Sequence, residues 1–377
     1  MNVHPRALGL RRLAPLALAA VIGAGAGAGA YALTDQGSSP PASSTVVVPA
    51  QPASSTSSTG SLTQLYKQDA PGVVDITVTS TSSVPSGGFP FGPPGQRQTQ
   101  QAEGSGFVID KQGHILTAEH VVAGATSILV HFQDGSSAKA TLVGADKTTD
   151  TAVIHVDVPA SQLHPLALGD SSTVEPGQAV VAIGSPFGLP WSMTAGIVSA
   201  TNRSISGQNC SQNQVCFSIP SAIQTDAAIN HGNSGGPLID VATNTVIGIN
   251  DQIESDTQDN AGVGFAVPIN AAKSAARTLI AGGVVRHAYV GIQITDGSNG
   301  GAKVTAVVAG SPAAQAGLKV GDLITAFDGR PIADADALTA AVGAAKPGEK
   351  ATLTVQRGGA TKTLSVTLGT QPSSPAS

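Results

Sequence analysis

The segment Asn230-His231-Gly232-Asn233-Ser234-Gly235-Gly236-Pro237-Leu238 constrains this chain more than any other. It places one serine among small residues and is flanked by apolar runs, Ile223 to Ile229 before it and Leu238-Ile239 after it. A nucleophilic serine needs such surroundings, because its oxygen must stand clear of the backbone while nearby N–H groups point at the oxyanion formed on attack of a carbonyl. Gly232 allows a turn that aims its own N–H and that of Ser234 at one point, and Gly235 and Gly236 remove side chains that would block a substrate. Taken alone, a Gly-x-Ser-Gly stretch is equally compatible with a plain turn between two strands. The chemistry requires a base and a carboxylate elsewhere in the chain.

Both are present. Leu116-Thr117-Ala118-Glu119-His120-Val121-Val122 sets a histidine after a strand-like apolar run, and Thr149-Asp150-Thr151-Ala152-Val153-Ile154 sets an aspartate at the head of another. The chain order His120, Asp150, Ser234 is that of chymotrypsin-type proteases and differs from the orders of subtilisins and α/β-hydrolases. Asp146 and Asp157 are nearby rivals, but Asp150 stands directly before the apolar strand. With Gly104-Ser105-Gly106-Phe107-Val108-Ile109, Ala182-Ile183-Gly184-Ser185-Pro186-Phe187-Gly188 and Gly262-Val263-Gly264-Phe265-Ala266-Val267-Pro268, these segments resemble the HtrA/DegP family of trypsin-fold serine proteases. The resemblance runs over roughly residues 62 to 370. It implies a mainly β fold, a trypsin-like double six-stranded β-barrel with the triad in the cleft, followed by a PDZ domain and preceded by an N-terminal membrane segment.

The rest of the chain fits that frame. Charged residues make up 11% and aromatics 3%, so a core has to be built from Val, Ile, Leu and Ala in many short strands. A net charge of −5 gives no reason to propose a nucleic acid partner. Short apolar runs recur between turn signals from Gly104 to Pro268 without amphipathic helices between them, the pattern of an all-β barrel architecture. Asn270 to Gly282 has helical spacing and ends at Gly282-Gly283, as a closing helix would.

Residues 1–12 are basic and Leu13 to Leu33 carries no charge, which reads as a transmembrane anchor or as a signal peptide cleaved after Ala32. In either case the remainder is exported. Residues 34–60 are rich in Ser, Thr, Pro and Ala and read as a flexible linker, and Ser80 to Glu103 is a second low-complexity stretch between two strands. The resulting division is a cytoplasmic tail 1–12, a membrane segment 13–33, a linker 34–60, a protease domain 61–284, a PDZ domain 285–370 and a tail 371–377. The last domain rests on Ser311-Pro312-Ala313-Ala314-Gln315-Ala316-Gly317-Leu318 and Gly321-Asp322-Leu323-Ile324, which resemble a bacterial PDZ domain. Such a domain takes an extended peptide as an added strand and binds its terminal carboxylate. By resemblance the loop Tyr289, Val290, Gly291, Ile292 supplies the donors.

The remaining site assignments follow in the same way. Gly232, Asn233 and Ser234 form the expected oxyanion hole, and no metal or organic cofactor is implied. Trypsin-type cleavage after Lys or Arg uses an aspartate six residues before the nucleophile, where this chain has Ala228. A pocket lined by Ile229, Asn230 and Gly264 suits small aliphatic P1 residues. Asp226 is expected to brace the loop, His231 to lie on its surface, and Glu119 either to add a carboxylate near the site or to face solvent. Cys210 and Cys216 are close enough to pair in an exported chain, stiffening the Arg203–Ser218 loop; two free thiols are the alternative. The expected activity is an ATP-independent endopeptidase acting on unfolded or misfolded exported proteins, with C-terminal peptides as PDZ ligands and, as in HtrA relatives, a homotrimer. A chaperone or scaffold that uses only the PDZ groove is the rival reading.

Overall fold

The computed structural model describes residues 61–83, 97–206, 218–251 and 262–372. The chain enters through helix α1 (Leu62–Asp69), capped by Ser61 Oγ accepting from the Thr63 N–H. It then builds a closed barrel from β1 (Val73–Ser83), β2 (Arg97–Val108), β3 (His114–Thr117), β4 (Ala125–His131), β5 (Ser137–Asp146) and β6 (Thr151–Val156), with a one-turn helix α2 (Glu119–Val122) after β3. A second closed barrel follows from β7 (Ala179–Gly184), β8 (Ser192–Ser206), β9 (Ser218–Thr225), β10 (Pro237–Asp240), β11 (Thr245–Asp251) and β12 (Gly264–Pro268). Each barrel has its own apolar filling. Ile76, Val130 and Ile154 lie in the first and Val180, Val198 and Leu238 in the second.

A third cluster joins the two barrels. Phe107, Leu116 and Val153 of the first pack with Val181, Ile183 and Ile249 of the second and with Ile269, Ala272, Ala276 and Leu279 of helix α3 (Ile269–Ile280). The i, i+3, i+4 spacing of those α3 residues gives the helix one apolar face, and a positive φ at Gly282 ends it. The barrels are therefore held edge to edge by shared apolar surface, and the loops at the end of that seam face one another.

The Ser80–Glu103 stretch departs from the sequence expectation. β1 and β2 pair without a break from Val73↔Phe107 to Ser83↔Arg97, so only residues 84–96 lie outside the described residues. Thr, Ser and Gln are polar but compatible with a pleated ladder whose outer part is solvated, which is why low complexity there did not end the strands. Residues 13–33, the Cys210–Cys216 pair and the linker 34–60 also lie outside the described residues. Among the described residues no helix is long and apolar enough to cross a membrane.

The C-terminal part consists of β13 (Ala288–Tyr289), β14 (Ile292–Asp296), β15 (Ala302–Val307), α4 (Pro312–Gln315), β16 (Leu323–Phe327), β17 (Arg330–Pro331), α5 (Ala335–Ala344), β18 (Lys350–Arg357), β19 (Ala360–Thr367) and β20 (Gly369–Thr370). The main sheet runs β14-β15-β16-β18-β19, which leaves β14 at an edge. Ser311 and Asp334 cap α4 and α5 by accepting from Ala314 N–H and Ala337 N–H. Inside, Asp322 is fully buried and takes two bonds of 2.6 Å from Arg357, a forked pairing that fixes the turn before β16 to the end of β18. His287, at the entry to this part, reaches back to the first barrel and donates to Asp146 at 2.8 Å.

Candidate active site

Strand β3 ends at Thr117, and α2 begins two residues later, so His120 is presented on a single helical turn at the seam between the barrels. Asp150 faces it from the residue immediately before β6. Its backbone is left-handed (φ 44°), an uncommon state for a residue with a Cβ, and this is what turns the carboxylate back toward α2. One carboxylate then holds the histidine twice. Oδ1 accepts from the His120 backbone N–H at 2.9 Å, and Oδ2 accepts from the ring Nδ1–H at 2.7 Å. The Asp150 carbonyl also accepts from the Glu119 N–H. A carboxylate is acceptor-only, so Nδ1 carries the proton and Nε2 keeps its lone pair.

The rival aspartates are elsewhere. Asp146 binds His287, the Thr149 hydroxyl and the Thr148 N–H, and Asp157 is exposed.

The Ser234 loop is pressed against the same strand end. A Cβ on Gly235 would stand 2.3 Å from Thr117 Oγ1 and 3.0 Å from Ala118 N, so only glycine lets the two segments touch. The Ser234 carbonyl accepts from Ser105 N–H, Gly235 N–H donates to Asn250 O, and Asn250 N–H donates to Gly236 O, each at 2.8 Å. The serine loop is thus tied to β2 on one side and β11 on the other.

The peptide planes beside Gly232 are fixed from both ends. The His231 carbonyl accepts from Phe187 N–H at 3.0 Å, and the Gly232 carbonyl accepts from the Ser105 hydroxyl at 2.6 Å. Gly232 has φ +97°, and a Cβ there would collide with Ser185 O at 2.1 Å. Asn233 corrects the expected oxyanion set. Its N–H is taken up by Asn230 O and its side-chain Nδ2 donates to Ala228 O, so Asn233 braces the turn.

Ile229 is buried and closely packed on Gly264, where a Cβ would lie 2.9 Å from Ile229 Cδ1. Asp226 does brace the loop, accepting from Ile197 N–H at 2.7 Å, and His231 is exposed. In the C-terminal part, the Val290 carbonyl accepts from Ala313 N–H and the Gly291 carbonyl from Val308 N–H and the Ser311 hydroxyl. These bonds pin the carbonyls of the Tyr289–Ile292 loop beside the β14 edge.

The electrostatics follow from burial and neighbours. Burial alone would depress the His120 imidazole, but the Asp150 hydrogen bond and the charges of Asp150, Asp251 and Glu119 outweigh it and hold the group above the ordinary histidine value. Glu119 is itself pushed up, by burial first and then by Asp150, against the opposing effect of Lys147. It therefore stands in the field of the site and not simply in solvent.

Three residues that the sequence did not single out belong here: Ser105, Asn250 and Asp251, all buried. The ligating atoms of His120, Asp150 and Asp251 lie within 4.8 Å of one another, but the imidazole Nδ1 is already bound to Asp150, and the set is one for handling a proton.

Comparison with known proteins agrees with this geometry. Residues 104–249 match the trypsin-like peptidase domain family and residues 288–368 the PDZ domain family. A probable periplasmic serine endoprotease DegP-like of Marinomonas sp. is 38% identical over 83% of this chain and 72% of its own length. The serine protease PepD of Mycobacterium tuberculosis is 44% identical over 72% of this chain and 61% of its own, and a DegP-like protein of Pseudomonas fulva is 42% identical over 74% and 58%. The chain therefore spans about three fifths of the length of these last two relatives. Among solved structures, the HtrA-type protease AlgW with a decapeptide superposes with a TM-score of 0.63 at 33% identity, covering 83% of this chain and 99% of that one. Two barrels, a histidine held by a carboxylate, a glycine-bounded serine loop packed against the same strand end, and a C-terminal domain that matches the PDZ family agree with these comparisons, and the chain belongs to the HtrA/DegP family of trypsin-like serine proteases.

Proposed function

We propose that this chain is an exported serine endopeptidase that cleaves unfolded or misfolded proteins and is regulated by peptides at its PDZ domain. The observation that carries the reading is the double grip of Asp150 on His120 next to the glycine-bounded Ser234. In the proposed reaction Ser234 Oγ attacks the scissile carbonyl and gives its proton to His120 Nε2, which returns it to the leaving amine. Asp150 keeps the ring in the required tautomer and balances the imidazolium. The N–H groups of Gly232 and Ser234 receive the oxyanion. Ile229, Asn230 and Gly264 form an S1 pocket for small aliphatic residues.

At the C-terminal domain, the free edge of β14 supports β-strand addition, with the Tyr289, Val290, Gly291 and Ile292 loop as carboxylate receptor. The decapeptide and tripeptide in the AlgW structures support peptide ligands for this chain. The word periplasmic in the names of the relatives supports export. We further assign a single-pass anchor at 13–33 with the catalytic part outside the cytoplasm, a protease domain over 61–284, a PDZ domain over 285–370, a homotrimer, and a Cys210–Cys216 bridge in the loop that relays peptide binding.

Ser234→Ala tests the central claim. Cleavage of casein or an unfolded protein should vanish while binding of a C-terminal peptide persists. Cleavage that survives the substitution would place the chemistry elsewhere.

A further inference from the structure

β11 ends at Asp251, directly after the Asn250 that ties the strand to Gly235 and Gly236. Its side chain is buried, with the residue 2% exposed, and Oδ1 stands 3.9 Å from His120 Nδ1, the nitrogen that Asp150 Oδ2 holds at 2.7 Å. Two carboxylates from two different barrels therefore face one imidazole nitrogen. We propose that Asp251 is a second carboxylate for the catalytic histidine, a positioning residue that shares with Asp150 the positive charge formed on His120 during catalysis. The inference rests on the serine-protease reading of the same site.

The argument is electrostatic. An opposite charge at about 4 Å in a site shielded from water stabilises the ionised ring far more than it would in solvent. Asp150 alone already satisfies the Nδ1–H, so Asp251 adds field without replacing the hydrogen bond. When Ser234 Oγ bonds to the carbonyl carbon, its proton moves to Nε2. When the C–N bond breaks, that proton passes to the departing nitrogen. Neither carboxylate takes it at any stage.

With both acids ionised, the pair beside a neutral ring carries a double negative charge, and protonating the ring reduces it. The site is thus biased toward the imidazolium that the transition state requires. The same bias makes the resting base protonate at a higher pH. Among the described residues, several charged groups face the ring or its helix and act in this balance. They are Asp150 ahead of β6, Asp251 on β11 and Glu119 on α2 itself, with Lys147 and Asp146 at the end of β5 acting on Glu119.

The test uses the full chain and two readouts. In kcat/KM against pH on a peptide substrate, Asp251→Asn should move the acid limb down by about one pH unit. The variant then gains on the parent at acid pH while its plateau kcat falls several-fold. In the uncleaving Ser234→Ala chain, the His120 ring titration followed by NMR should fall by the same amount in Asp251→Asn and should stay high in Asp251→Glu. In an Asp150→Asn background, Asp251→Asn should cost more than it does with Asp150 present, because it removes the last carboxylate on Nδ1.

An acid limb and an NMR midpoint that both stay in place while only the melting temperature drops would reduce Asp251 to a packing residue and overturn the proposal. If Asp251→Asn does not fold, a His120 midpoint in the Ser234→Ala chain at or below about 6.5, the unperturbed value, overturns it as well, and a midpoint above it with Asp251→Glu unchanged supports it. A chain with Ser234 intact that cleaves nothing would end the protease reading, yet the NMR titration would still decide whether the two carboxylates act on one ring.

Discussion

Ser105 offers the sharpest test of how this site is held. It is fully buried on β2 and bridges the two barrels through one hydroxyl, which donates to Gly232 O at 2.6 Å and accepts from Ser185 N–H at 3.0 Å. Ser105→Ala leaves a carbonyl and an N–H without that partner in a site closed to water, at about 1–3 kcal/mol for each group. Stability should fall by about 2–6 kcal/mol, a drop of roughly 4–24 °C in Tm at about 2–4 °C per kcal/mol for a domain of this size.

The catalytic effect is separable. Gly232 N–H belongs to the peptide whose carbonyl is held by Phe187, and Ser105 holds the next peptide along, so the substitution frees one of two restraints on the oxyanion turn. Complete loss of an oxyanion donor costs about 10²–10³ in kcat. Loss of one restraint should cost about tenfold, or roughly 1.4 kcal/mol of transition-state stabilisation, with KM little changed. The assay is steady-state cleavage of a fluorogenic peptide well below the Tm of the variant. If kcat stays within a factor of two of the parent while Tm falls as expected, Ser105 only joins the barrels and the reasoning about the turn is wrong.

Three further outcomes follow from the same structure. Asp322 is held below the usual carboxylate range because the Arg357 bonds, the Lys319 N–H and the nearby positive charges outweigh its burial. A depressed folded value gives stability that is present above the unfolded carboxylate value and is lost as pH falls through the folded one. Asp322→Asn should therefore cost the C-terminal domain about 3 kcal/mol at neutral pH and progressively less toward pH 3 in urea titrations. His287→Ala removes the link from the second domain to Asp146, whose carboxylate also holds Thr148 and Thr149 just ahead of Asp150. It should lower kcat by about two- to fivefold with casein, corresponding to a contact of under about 1 kcal/mol, and an unchanged rate would show that the link is mechanically idle. A P1-randomised peptide library should rank Val, Ala and Ile above Lys and Arg, since Ala228 and buried Ile229 offer a cation no partner; rapid cleavage after Lys or Arg would remove the pocket assignment.

What could be read from the chain alone depended on whether a role was written locally. His120, Asp150 and Ser234 each sit in a short segment whose neighbours explain them: a strand end, a strand head and a glycine-bounded turn. The barrels were legible because apolar runs recur between turn signals, and α3 because its apolar residues follow helical spacing. Ser105 and Asp251 were not. Ser105 acquires its function only when β2 meets the serine loop, more than a hundred positions away. Asp251 closes an apolar strand, where a carboxylate reads as the solvated end of the run, and only the pairing of β11 with the serine loop turns it inward. Asp150 was set apart from Asp146 by its place directly before the apolar strand. Their tertiary partners differ in the same sense, because Asp146 is taken by His287 and Asp150 by His120. The outer turns of the β1–β2 ladder were missed for a different reason. Their Thr, Ser and Gln residues carry no apolar alternation, and a hydrophobic pattern has no signal where a strand is held by its backbone ladder.

The placement of polar residues explains why this fold tolerates such a site. Thr117, Ser105, Asn233, Asn250 and Asp251 are all buried, and they gather where the barrels meet, while Ile76, Ile154, Leu238 and their neighbours keep each barrel interior apolar. Buried polar groups stabilise little and are costly when one partner is removed, so a site made of them is stable only if its frame is secured elsewhere. Here the frame is the cluster of Phe107, Leu116, Ile183, Ile249 and Leu279 that fuses the barrels beneath the cleft. Weakening that cluster, for instance by Leu279→Ala, should therefore reduce stability by about 2–5 kcal/mol while leaving kcat nearly intact at temperatures where the protein is folded. Ser105→Ala should also lose stability, but with a kcat loss that persists at those temperatures. If both substitutions moved stability and rate in the same proportion, the cleft and its apolar floor would be one mechanical unit and not a rigid base carrying a separately tuned turn.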